Sequence, residues 1–368
     1  MPDYQYYDAK ATLLTPLHIG SGTDLLHEYD YAIYRGKTWR LNEDALLAAQ
    51  EVSDPALADR LARTPPAQIL QPADFQAESN LFRYVIRGTP RSKAEGAQVK
   101  EQLKDPYDRP YLPGTSLKGA LRTALAWVLW EEKQLKPDRR KLKRWAKFAG
   151  QNYEQDIFGR DPNHDLLRAL QVSDSEPVSS DRLMLVNARV IHRNAHLAAP
   201  VEMEAVKPDT VFKLTLKVDT ALFSAWAGRQ RLQGGKWLTQ LPTLVQRHTA
   251  HRLHEEVRWF AQVSNAQPIH RFLHQLQQMT LPPNMCLLQV GWGTGWLDKT
   301  FGSHLQSDTA FFEGLIDDYR LTRGKRRRGD PFPKSRRVLV QVRRGPGGQI
   351  VERPIASIGW LLLEMEAR

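Results

Sequence analysis

A turn that runs directly into an amphipathic helix is the feature of residues 111–125 that most limits how this chain folds. Pro113 begins the turn, since Pro-Gly is a turn pair. The apolar residues that follow recur at helical spacing, namely Leu117, Ala120, Leu121, Ala124 and Leu125. The pattern predicts a helix from Ser116 to about Gln134, which Pro137 ends.

Two cations near the start of this helix indicate a phosphate site. Lys118 and Arg122 are four residues apart and share one helix face. Free N–H groups at a helix N-terminus attract anions, and Thr or Ser is suited to cap the helix. The expected phosphate-binding residues are Gly114, Thr115, Ser116, Lys118 and Arg122. An ordinary capped helix with a solvated basic face explains the same pattern.

Charge and cysteine content narrow the class of protein. The chain has 368 residues, 41% of them hydrophobic, and a net charge of +11, which suits a folded protein that binds a polyanion. It contains no long apolar run that would span a bilayer, and its N-terminus lacks the features of a secretion signal. The single cysteine, Cys286, excludes an intramolecular disulfide. We expect a cytoplasmic protein without a cofactor or a membrane partner.

Periodicity along the chain predicts an α+β fold. The predicted strands cover residues 7–14, 29–34, 38–41, 82–87, 170–175, 183–192, 210–219, 285–290, 338–343 and 361–364. The predicted helices cover residues 43–50, 116–134, 139–148, 242–260 and 268–279, the first capped by Asn42. Residues 20–22 and 88–110 read as loops, and residues 155–160 as a turn. This order favours a ferredoxin-like or RRM-like sheet.

A second glycine-rich segment, residues 15–22, combines flexible backbone with a histidine. Gly20, Ser21 and Gly22 allow the backbone to approach a ligand, and successive N–H groups can cradle a phosphate. His18 could act as a general base toward a ribose 2′-hydroxyl. We favour the alternative, in which His18 only hydrogen-bonds the loop, because no second acid or base lies at a defined spacing.

A third glycine-rich segment lies near the C-terminus and precedes a series of cations. It consists of Gly291, Trp292, Gly293, Thr294 and Gly295, in which a tryptophan could stack on a base. A β-bulge with core tryptophans is the alternative. Lys299 and the basic residues Lys334, Arg336 and Arg337 follow. The cation-rich run at residues 323–330 suits either phosphate contact or a solvated loop.

Three histidines at residues 248, 251 and 254 raise the question of a metal site. Two successive spacings of three residues rotate the third histidine away from the first, and the H-E-x-x-H pattern is absent. We therefore interpret these histidines as a polar helix surface and expect no metal.

These motifs together resemble the RAMP superfamily, the RNA-binding subunits of CRISPR effector complexes. The run from Pro113 to Arg122 resembles the signature that many RAMP proteins share. The segment 291–295, the Lys-Ser-Arg-Arg sequence at 334–337 and the closing Ile-Gly-Trp at 358–360 are similar to the type III-A (Csm) subunit that caps the 3′ end of the guide RNA. No family motif is found between residues 200 and 282.

The resemblance implies two RAMP domains of RRM-like fold. Residues 1–195 form the first domain, which has a helical insertion. Residues 196–368 form the second, which is diverged and carries glycine-rich and basic loops. It implies a non-catalytic subunit that binds the 3′ region of the crRNA, caps the backbone filament and assists crRNA 3′ maturation. Implied partners are neighbouring Csm backbone subunits, with target RNA and host nucleases as further candidates. The alternatives are a metal-independent endoribonuclease that cuts repeat RNA through His18, another RAMP backbone position, and a general RNA-binding protein.

Overall fold

The computed structural model describes residues 3–50, 63–76, 78–322, 326–345 and 349–368. Its strands are β1 (Tyr4–Leu13), β2 (Gly20–Leu26), β3 (Tyr31–Tyr34), β4 (Lys37–Leu41), β5 (Phe82–Arg87), β6 (Gln98–Gln102), β7 (Leu170–Val172), β8 (Leu183–His192), β9 (Leu197–Val206), β10 (Val211–Asp219), β11 (Met285–Gln289), β12 (Ser335–Arg344), β13 (Ile350–Ala356) and β14 (Trp360–Ala367). Its α-helices are α1 (Glu43–Ala48), α2 (Pro66–Ile69), α3 (Gly114–Glu132), α4 (Gln151–Phe158), α5 (Gly235–Thr239), α6 (Leu241–Phe260), α7 (Gln267–Gln277) and α8 (Thr309–Asp318).

A five-stranded sheet has the order β11-β14-β1-β10-β7, and each neighbouring pair is antiparallel. Helix α3 connects β1 to β7, and β10 follows β7 after the inserted hairpin of β8 and β9. Helices α5 to α7 come next and precede β11 and β14. This succession is the β-α-β-β-α-β connectivity of a ferredoxin-like unit, with one added edge strand beside β14. The predicted α+β fold class is confirmed.

A six-stranded sheet has the order β13-β12-β8-β9-β6-β2. Strands β6 and β9 meet in parallel orientation at Lys100 and Met203, whereas the other neighbours are antiparallel. Strands β3, β4 and β5 form a separate three-stranded sheet. Both large sheets take strands from either side of residue 195, and the division into residues 1–195 and 196–368 stays a prediction.

Helix α3 lies in the largest core cluster, where it packs against α6, α4 and β7. Every residue from Ala124 to Trp130 is buried, which is the pattern of a helix enclosed on all sides. The indole N–H of Trp127 donates to Ser303 Oγ at 2.8 Å, and His304 Nε2 lies 2.8 Å from the Trp127 carbonyl oxygen. Residues 303–304 therefore pack directly against the second half of α3.

The N-terminus of α3 differs from its prediction. The helix begins at Gly114, and its N-cap is Pro113, which offers no side chain to the backbone N–H groups. The predicted capping by Thr115 or Ser116 is wrong, because both residues lie inside the first turn. The turn pair therefore continues directly into the helix.

Four further segments differ from the sequence-based assignments. Residues 20–22 form the start of β2 instead of a loop, and residues 98–102 form β6 within the predicted loop 88–110. Residues 155–160 were expected to turn but mostly belong to α4. The expected basic helix at 139–148 is instead two short 3-10 turns, and Trp145 within it is 74% exposed. Of its apolar residues Leu142 packs against the core, whereas Trp145 and Phe148 are exposed, so the spacing alone does not form a helix.

Candidate nucleic-acid interface

The glycine-rich segments 15–22 and 291–295 lie side by side, although they come from opposite ends of the chain. The backbone N–H of Trp292 donates to the carbonyl oxygen of His18 at 2.8 Å. Gly291 has a φ of 82°, and a Cβ there would lie 2.5 Å from the same His18 oxygen. Only glycine combines this conformation with such a close approach.

Residues 358–360, near the end of the chain, contact the same two segments, and we call the place where the three segments meet the His18 junction. The N–H of Val290 donates to the oxygen of Gly359 at 2.8 Å, and the N–H of Gly359 donates to the oxygen of Pro16 at 2.9 Å. Thr15 Oγ1 accepts from the N–H of Trp360 at 2.9 Å. Three segments that the sequence predicted to act in RNA binding or to accompany it thus meet through their backbones.

His18 is buried at this junction, with 1% of its surface exposed. Its Nδ1 lies 2.6 Å from the carbonyl oxygen of Glu204, so Nδ1 carries the hydrogen in that bond. Nε2 faces the backbone at Gly20, where a Cβ would lie 3.2 Å away. Burial lowers the pKa of His18 to about 4, so the ring is neutral near pH 7.

Next to His18 lies a buried polar cluster that the sequence did not reveal. The carboxylate of Glu204, 2% exposed, accepts from Lys104 Nζ at 2.7 Å and from Tyr84 Oη at 2.8 Å. It also accepts from the N–H of Gln102 at 3.0 Å. The cluster connects β6 to β9 where their ladder consists of one pair, and it supports the strand that carries the His18 contact.

Gly20, Ser21 and Gly22 form an exposed, irregular part of β2. The pairing with β6 shifts register between Gly20 and Asp24, as in a bulge. Gly22 has a φ of 99°, and Ser21 Oγ donates to Glu101 Oε2 at 2.9 Å. The segment therefore presents exposed backbone beside the His18 junction, in an ordered strand and not a flexible loop.

The two parts of the C-terminal motif also meet in space. Gly293, Thr294 and Gly295 line a cavity of about 160 Å³ together with Arg336 and Arg337. A Cβ on Gly293 would lie 2.2 Å from Ile358 Cγ2, so glycine is needed for the loop to pack there. The motif therefore forms one continuous surface and not two separate ones.

An aromatic ring and a cation stand together at this surface. The guanidinium of Arg337 lies over the indole of Trp292, with 5.1 Å between Cζ and the ring centroid. Arg337 is exposed and Trp292 is half-buried. Aromatic faces and arginines beside accessible backbone are the groups that bind a single-stranded nucleic acid without reading its sequence.

The other C-terminal cations differ in how firmly the chain holds them. Arg336 Nε donates to Glu256 Oε1 at 2.8 Å, and its guanidinium lies 4.8 Å from the Trp259 ring centroid. Lys334 Nζ pairs with Asp330 at 2.5 Å. Lys299 is exposed and makes no ion pair with a described residue. The charge of Arg336 is thus largely neutralised within the fold.

The basic run at residues 323–330 is only partly described, since residues 323–325 lie outside the described residues. Arg326 pairs with Glu313 through both terminal nitrogens, at 2.5 and 2.7 Å. Arg328 Nη2 lies 3.1 Å from Asp317 Oδ2. The described part of this run is therefore tied to α8.

A carboxylate occupies the N-terminus of α3, where a phosphate was expected. The N–H of Gly114 donates to Asp174 Oδ1 at 2.8 Å. A Cβ on Gly114 would lie 2.3 Å from the Val172 oxygen, so this glycine allows close packing between α3 and β7. Thr115 is exposed and Ser116 half-buried.

The two cations of α3 are likewise engaged within the chain. Lys118 Nζ donates to the carbonyl oxygen of Leu170 at 2.6 Å. Arg122 Nη1 donates to Asp165 Oδ2 at 2.8 Å, and its Nη2 donates to Glu154 Oε2 at 3.0 Å. The structure does not bring this segment to the His18 junction in the way it brings the other two glycine-rich segments.

The sequence did not identify Arg252, a buried arginine at the cavity that residues 293–295 line. Arg252, 3% exposed, lines this cavity and donates to Asp298 Oδ1 at 3.0 Å and to Glu256 Oε1 at 3.2 Å. Arg252 and Glu256 are four residues apart on α6, so helical spacing was a usable signal for the pair. The contact to Asp298 is tertiary and leaves no trace in the sequence.

The described residues contain no group of three or more His, Cys, Asp or Glu side chains placed to hold a metal ion. The rings of His251 and His304 stack on Trp127, with their centroids 4.8 and 4.6 Å from that of the indole.

Among the described helices, none is both long and apolar enough to cross a membrane.

Comparison with known protein families identifies the family of this chain. The family model described as the RAMP superfamily matches residues 10–298. The chain belongs to the RAMP superfamily. The RAMP match includes the glycine-rich segment 15–22, the α3 segment and the glycine-rich loop at 291–295, and it ends before Arg337 and the closing segment 358–360.

Curated relatives of this RAMP chain include two proteins named CRISPR system Cms protein Csm5. The one from Streptococcus thermophilus is 26% identical over 249 residues, which cover 60% of this chain and 66% of the relative. The one from Methanocaldococcus jannaschii is 24% identical over 229 residues, which cover 59% of this chain and 53% of the relative. The matched region thus spans just under two thirds of the first relative and about half of the second.

Solved structures share the fold over nearly the whole RAMP chain. A chain in the cryo-EM structure of a Csm–crRNA–target RNA ternary complex of a type III-A CRISPR-Cas system matches with a TM-score of 0.74 and 24% identity, over 98% of this chain and 100% of that one. The crystal structure of T. onnurineus Csm5 matches with a TM-score of 0.62 and 19% identity, over 96% and 99%. At these identities the likeness establishes the fold.

Proposed function

We propose that this RAMP protein is a non-catalytic RNA-binding subunit of a type III-A CRISPR (Csm) effector complex. In this role it holds the 3′ region of the crRNA and ends the filament of backbone subunits in the cytoplasm. Support comes from the RAMP match, from relatives named Csm5, and from a fold shared with a chain of a Csm complex. Assistance in crRNA 3′ maturation would come from nucleases that the subunit recruits.

The surface made by the His18 junction, the glycine-rich loop and Arg337 is the observation that carries this proposal. Exposed glycine backbone at Gly20 and Gly22 lies on one side of the junction, and the Trp292–Arg337 pair lies on the other. None of these groups reads a base edge, which suits a subunit that accepts many guide sequences. The contacts would be to sugar, phosphate and base faces.

The environment of His18 supports a structural and not a catalytic role. Its Nδ1 is engaged by the Glu204 carbonyl, and burial lowers its pKa to about 4. A general base works best with a pKa near the operating pH, so this ring is a weak base for a 2′-hydroxyl. The function of His18 would be to hold β2 against β9.

Neighbouring subunits would contact other parts of the surface. The tip of the segment 88–110 carries Tyr107, which is 77% exposed with Arg109 Cζ 5.3 Å from its ring centroid. An exposed aromatic residue backed by arginine is typical of a protein contact. We assign this tip to the neighbouring backbone subunit, with target RNA reaching the complex along the same filament.

The test is UV crosslinking in the complex co-expressed with its genomic neighbours and a CRISPR array. The wild-type chain should crosslink to the 3′ spacer-derived region of the crRNA, and Arg337→Glu should reduce those crosslinks. Arg343→Glu is the matched control, since Arg343 is also exposed on β12 and lies about 20 Å along the strand. Crosslinks at the repeat-derived handle, or equal losses in both variants, would overturn the proposal.

The endoribonuclease alternative has its own measurement. It requires the purified chain to cleave repeat RNA in EDTA and His18→Ala to abolish that cleavage. We expect no cleavage by either protein, with crosslinking retained by the wild type. Binding to unrelated RNA that does not depend on companion subunits would instead indicate a general RNA-binding protein.

A further inference from the structure

An exposed tryptophan lies in a strongly basic segment that follows helix α3. Between Asp138 and Glu154 the sequence has six lysines and arginines and no acidic residue. Residues 143–148 within this segment are all exposed, with Trp145 at 74% and Phe148 at 47%. Two large rings that are this close in sequence and this exposed indicate a surface that contacts another molecule.

The backbone of this surface is fixed, although its side chains are exposed. We call residues 143–149 the basic loop. The N–H of Lys143 donates to the carbonyl oxygen of Ala149 at 3.2 Å, which brings the two ends of the loop together. Tyr319 Oη, just after α8, donates to the carbonyl oxygen of Lys143 at 2.7 Å. The rings and cations of the loop therefore share one compact and ordered element, which loses less entropy on binding than a disordered tail.

The cations of the segment divide into a paired group and an unpaired group. Those before the basic loop are held by carboxylates, namely Arg139 by Asp318 at 3.4 Å, Arg140 by Asp138 at 3.1 Å and Lys141 by Asp156 at 2.6 Å. Those inside the loop make no ion pair with a described residue, and they are Lys143, Arg144 and Lys147. The loop thus presents three uncompensated positive charges beside two exposed rings.

The basic loop adjoins the surface on which the proposed function depends. Leu142, Ala146 and Ala149 line a cavity of about 350 Å³ that Trp296 and the exposed Lys299 also line. Trp296 lines the cavity of the glycine-rich loop as well. A single strand bound at the glycine-rich loop can therefore continue by way of Lys299 to the basic loop.

Another exposed tryptophan lacks this setting. Trp226 is 81% exposed, but its sequence neighbours are Ala225 and Ala227, and the nearest cation along the chain is Arg229. Exposure of an indole is therefore not what distinguishes Trp145. The combination of an accessible ring with unpaired cations on both sides is the one that holds single-stranded RNA, through base stacking and phosphate contacts.

We propose that the basic loop is a second RNA-binding site, in which a base stacks on Trp145 and the neighbouring phosphates contact the three unpaired cations. The choice of RNA as the polyanion rests on the proposed function. Stacking on a side chain requires a base that is splayed out of any duplex, so the site should accept single strands and not double helices.

The test measures RNA binding by the full chain with Trp145→Ala, and with Trp226→Ala as the matched control. Fluorescence anisotropy gives the Kd for a single-stranded RNA of about 15 nucleotides, which is within the range of one such site. The same RNA paired with its complement is the second ligand. Polyglutamate is the third, because it carries negative charge without bases and represents an acidic protein segment.

Trp145→Ala should weaken only the binding of the single strand. We expect its Kd to rise about fivefold or more, as for the loss of one stacked base, while the Kd for the duplex changes by less than about twofold. Trp226→Ala should leave both values unchanged. Both tryptophans are exposed, so neither substitution removes a core contact.

A second pair of variants tests the phosphate contacts. Arg144→Ala should lower the slope of log K against log salt concentration for the single strand by about 0.7, the contribution of one phosphate. Arg140→Ala removes the same side chain four residues away, where Asp138 already pairs with the charge, and should keep the wild-type slope.

Several results would exclude this site. They are no binding of the single strand by the wild-type chain, an equal Kd for wild type and Trp145→Ala, an equal rise in Trp226→Ala, and an unchanged salt slope in Arg144→Ala. An equal loss of polyglutamate binding in Trp145→Ala would assign the loop to an acidic protein instead. None of these results bears on the crosslinks in the complex that Arg337→Glu tests, so the failure of this inference and the failure of the proposed function remain distinguishable.

Discussion

The guanidinium of Arg337 lies over the indole ring of Trp292, 5.1 Å from its centroid, and joins strand β12 to the glycine-rich loop. No carboxylate among the described residues pairs with Arg337, whereas Arg336 next to it is bound to Glu256 at 2.8 Å. The two arginines therefore have different roles. Arg336 stabilises the fold, and Arg337 keeps its charge available to a ligand.

Replacing Arg337 should reduce the salt dependence of RNA binding. Each phosphate neutralised on a single strand contributes about 0.7 to the slope of log K against log salt concentration. We predict that Arg337→Ala lowers this slope by about 0.7, as measured by fluorescence anisotropy over a series of KCl concentrations. Arg343→Ala should keep the wild-type slope; a similar decrease there would show that only overall charge matters.

Two glycines of the same loop should differ in their tolerance of alanine. At Gly293 the φ is 97° and a Cβ would lie 2.2 Å from Ile358, whereas at Gly295 the φ is 78° with no atom within 4 Å. Gly293→Ala combines backbone strain with a clash and should lower the free energy of unfolding by about 3 kcal/mol. Gly295→Ala should lose about 1 kcal/mol.

Urea denaturation of the two glycine variants measures this difference. The two substitutions are chemically identical and lie two residues apart, so each is the control for the other. Equal losses of stability would mean that the contact with Ile358 does not constrain the loop.

Breaking the ion pair between Glu204 and Lys104 should destabilise the fold. Their side chains are 2% and 4% exposed, and removing the charge of Glu204 leaves the buried lysine with only the longer ion pair to Glu101, at 3.3 Å. We predict that Glu204→Gln lowers the free energy of unfolding by about 3 kcal/mol. Adding Lys104→Met to that variant should recover part of the loss. A double variant that is less stable than Glu204→Gln would contradict this, and would mean that the pair of Lys104 with Glu101 outweighs the cost of burying the lysine charge.

The stability of the protein should fall in mild acid because of His18. Burial lowers its folded pKa to about 4 from 6.5, so between these values the unfolded chain binds the proton and the folded chain does not. Stability is therefore present above pH 6.5 and is lost as the pH falls toward 4. Linkage predicts a loss of about 2 kcal/mol from this residue between pH 7 and pH 5.

Urea midpoints at pH 7 and pH 5 measure the contribution of His18. His18→Asn retains a side-chain donor for the Glu204 carbonyl but cannot titrate, so its stability should change less with pH by that amount. His248, whose pKa burial lowers to about 3, contributes in the same direction in both proteins and so cancels in the comparison. An unchanged pH dependence in His18→Asn would contradict the prediction.

Local signals predicted several elements well. The strands at 82–87 and 183–192 match β5 and β8, and the Asn42 side chain caps α1 by accepting from the N–H of Ala45. Strands β3 and β4 also lie at the predicted strands 29–34 and 38–41, and they pair as a hairpin. These features depend on contacts between residues close in sequence, so the sequence pattern was sufficient.

Segments whose conformation depends on distant partners were predicted less well. Residues 20–22 join a strand because β6 lies beside them, and residues 139–141 form a 3-10 turn whose Lys141 pairs with Asp156 at 2.6 Å. The buried cluster of Glu204, Lys104 and Tyr84 brings together β9, the segment just after β6, and β5. No spacing rule connects them.

The sequence by itself determined the glycine positions, the alternation of buried residues and the net charge of +11, and these were enough for the fold class and for two segments that meet at the His18 junction. It did not determine which cations stay free. Lys118 and Arg122 look like Arg337 in the sequence, yet the fold binds them to Leu170 and Asp165. Ion pairs form between residues far apart along the chain, and only the tertiary structure decides which charges remain available to RNA.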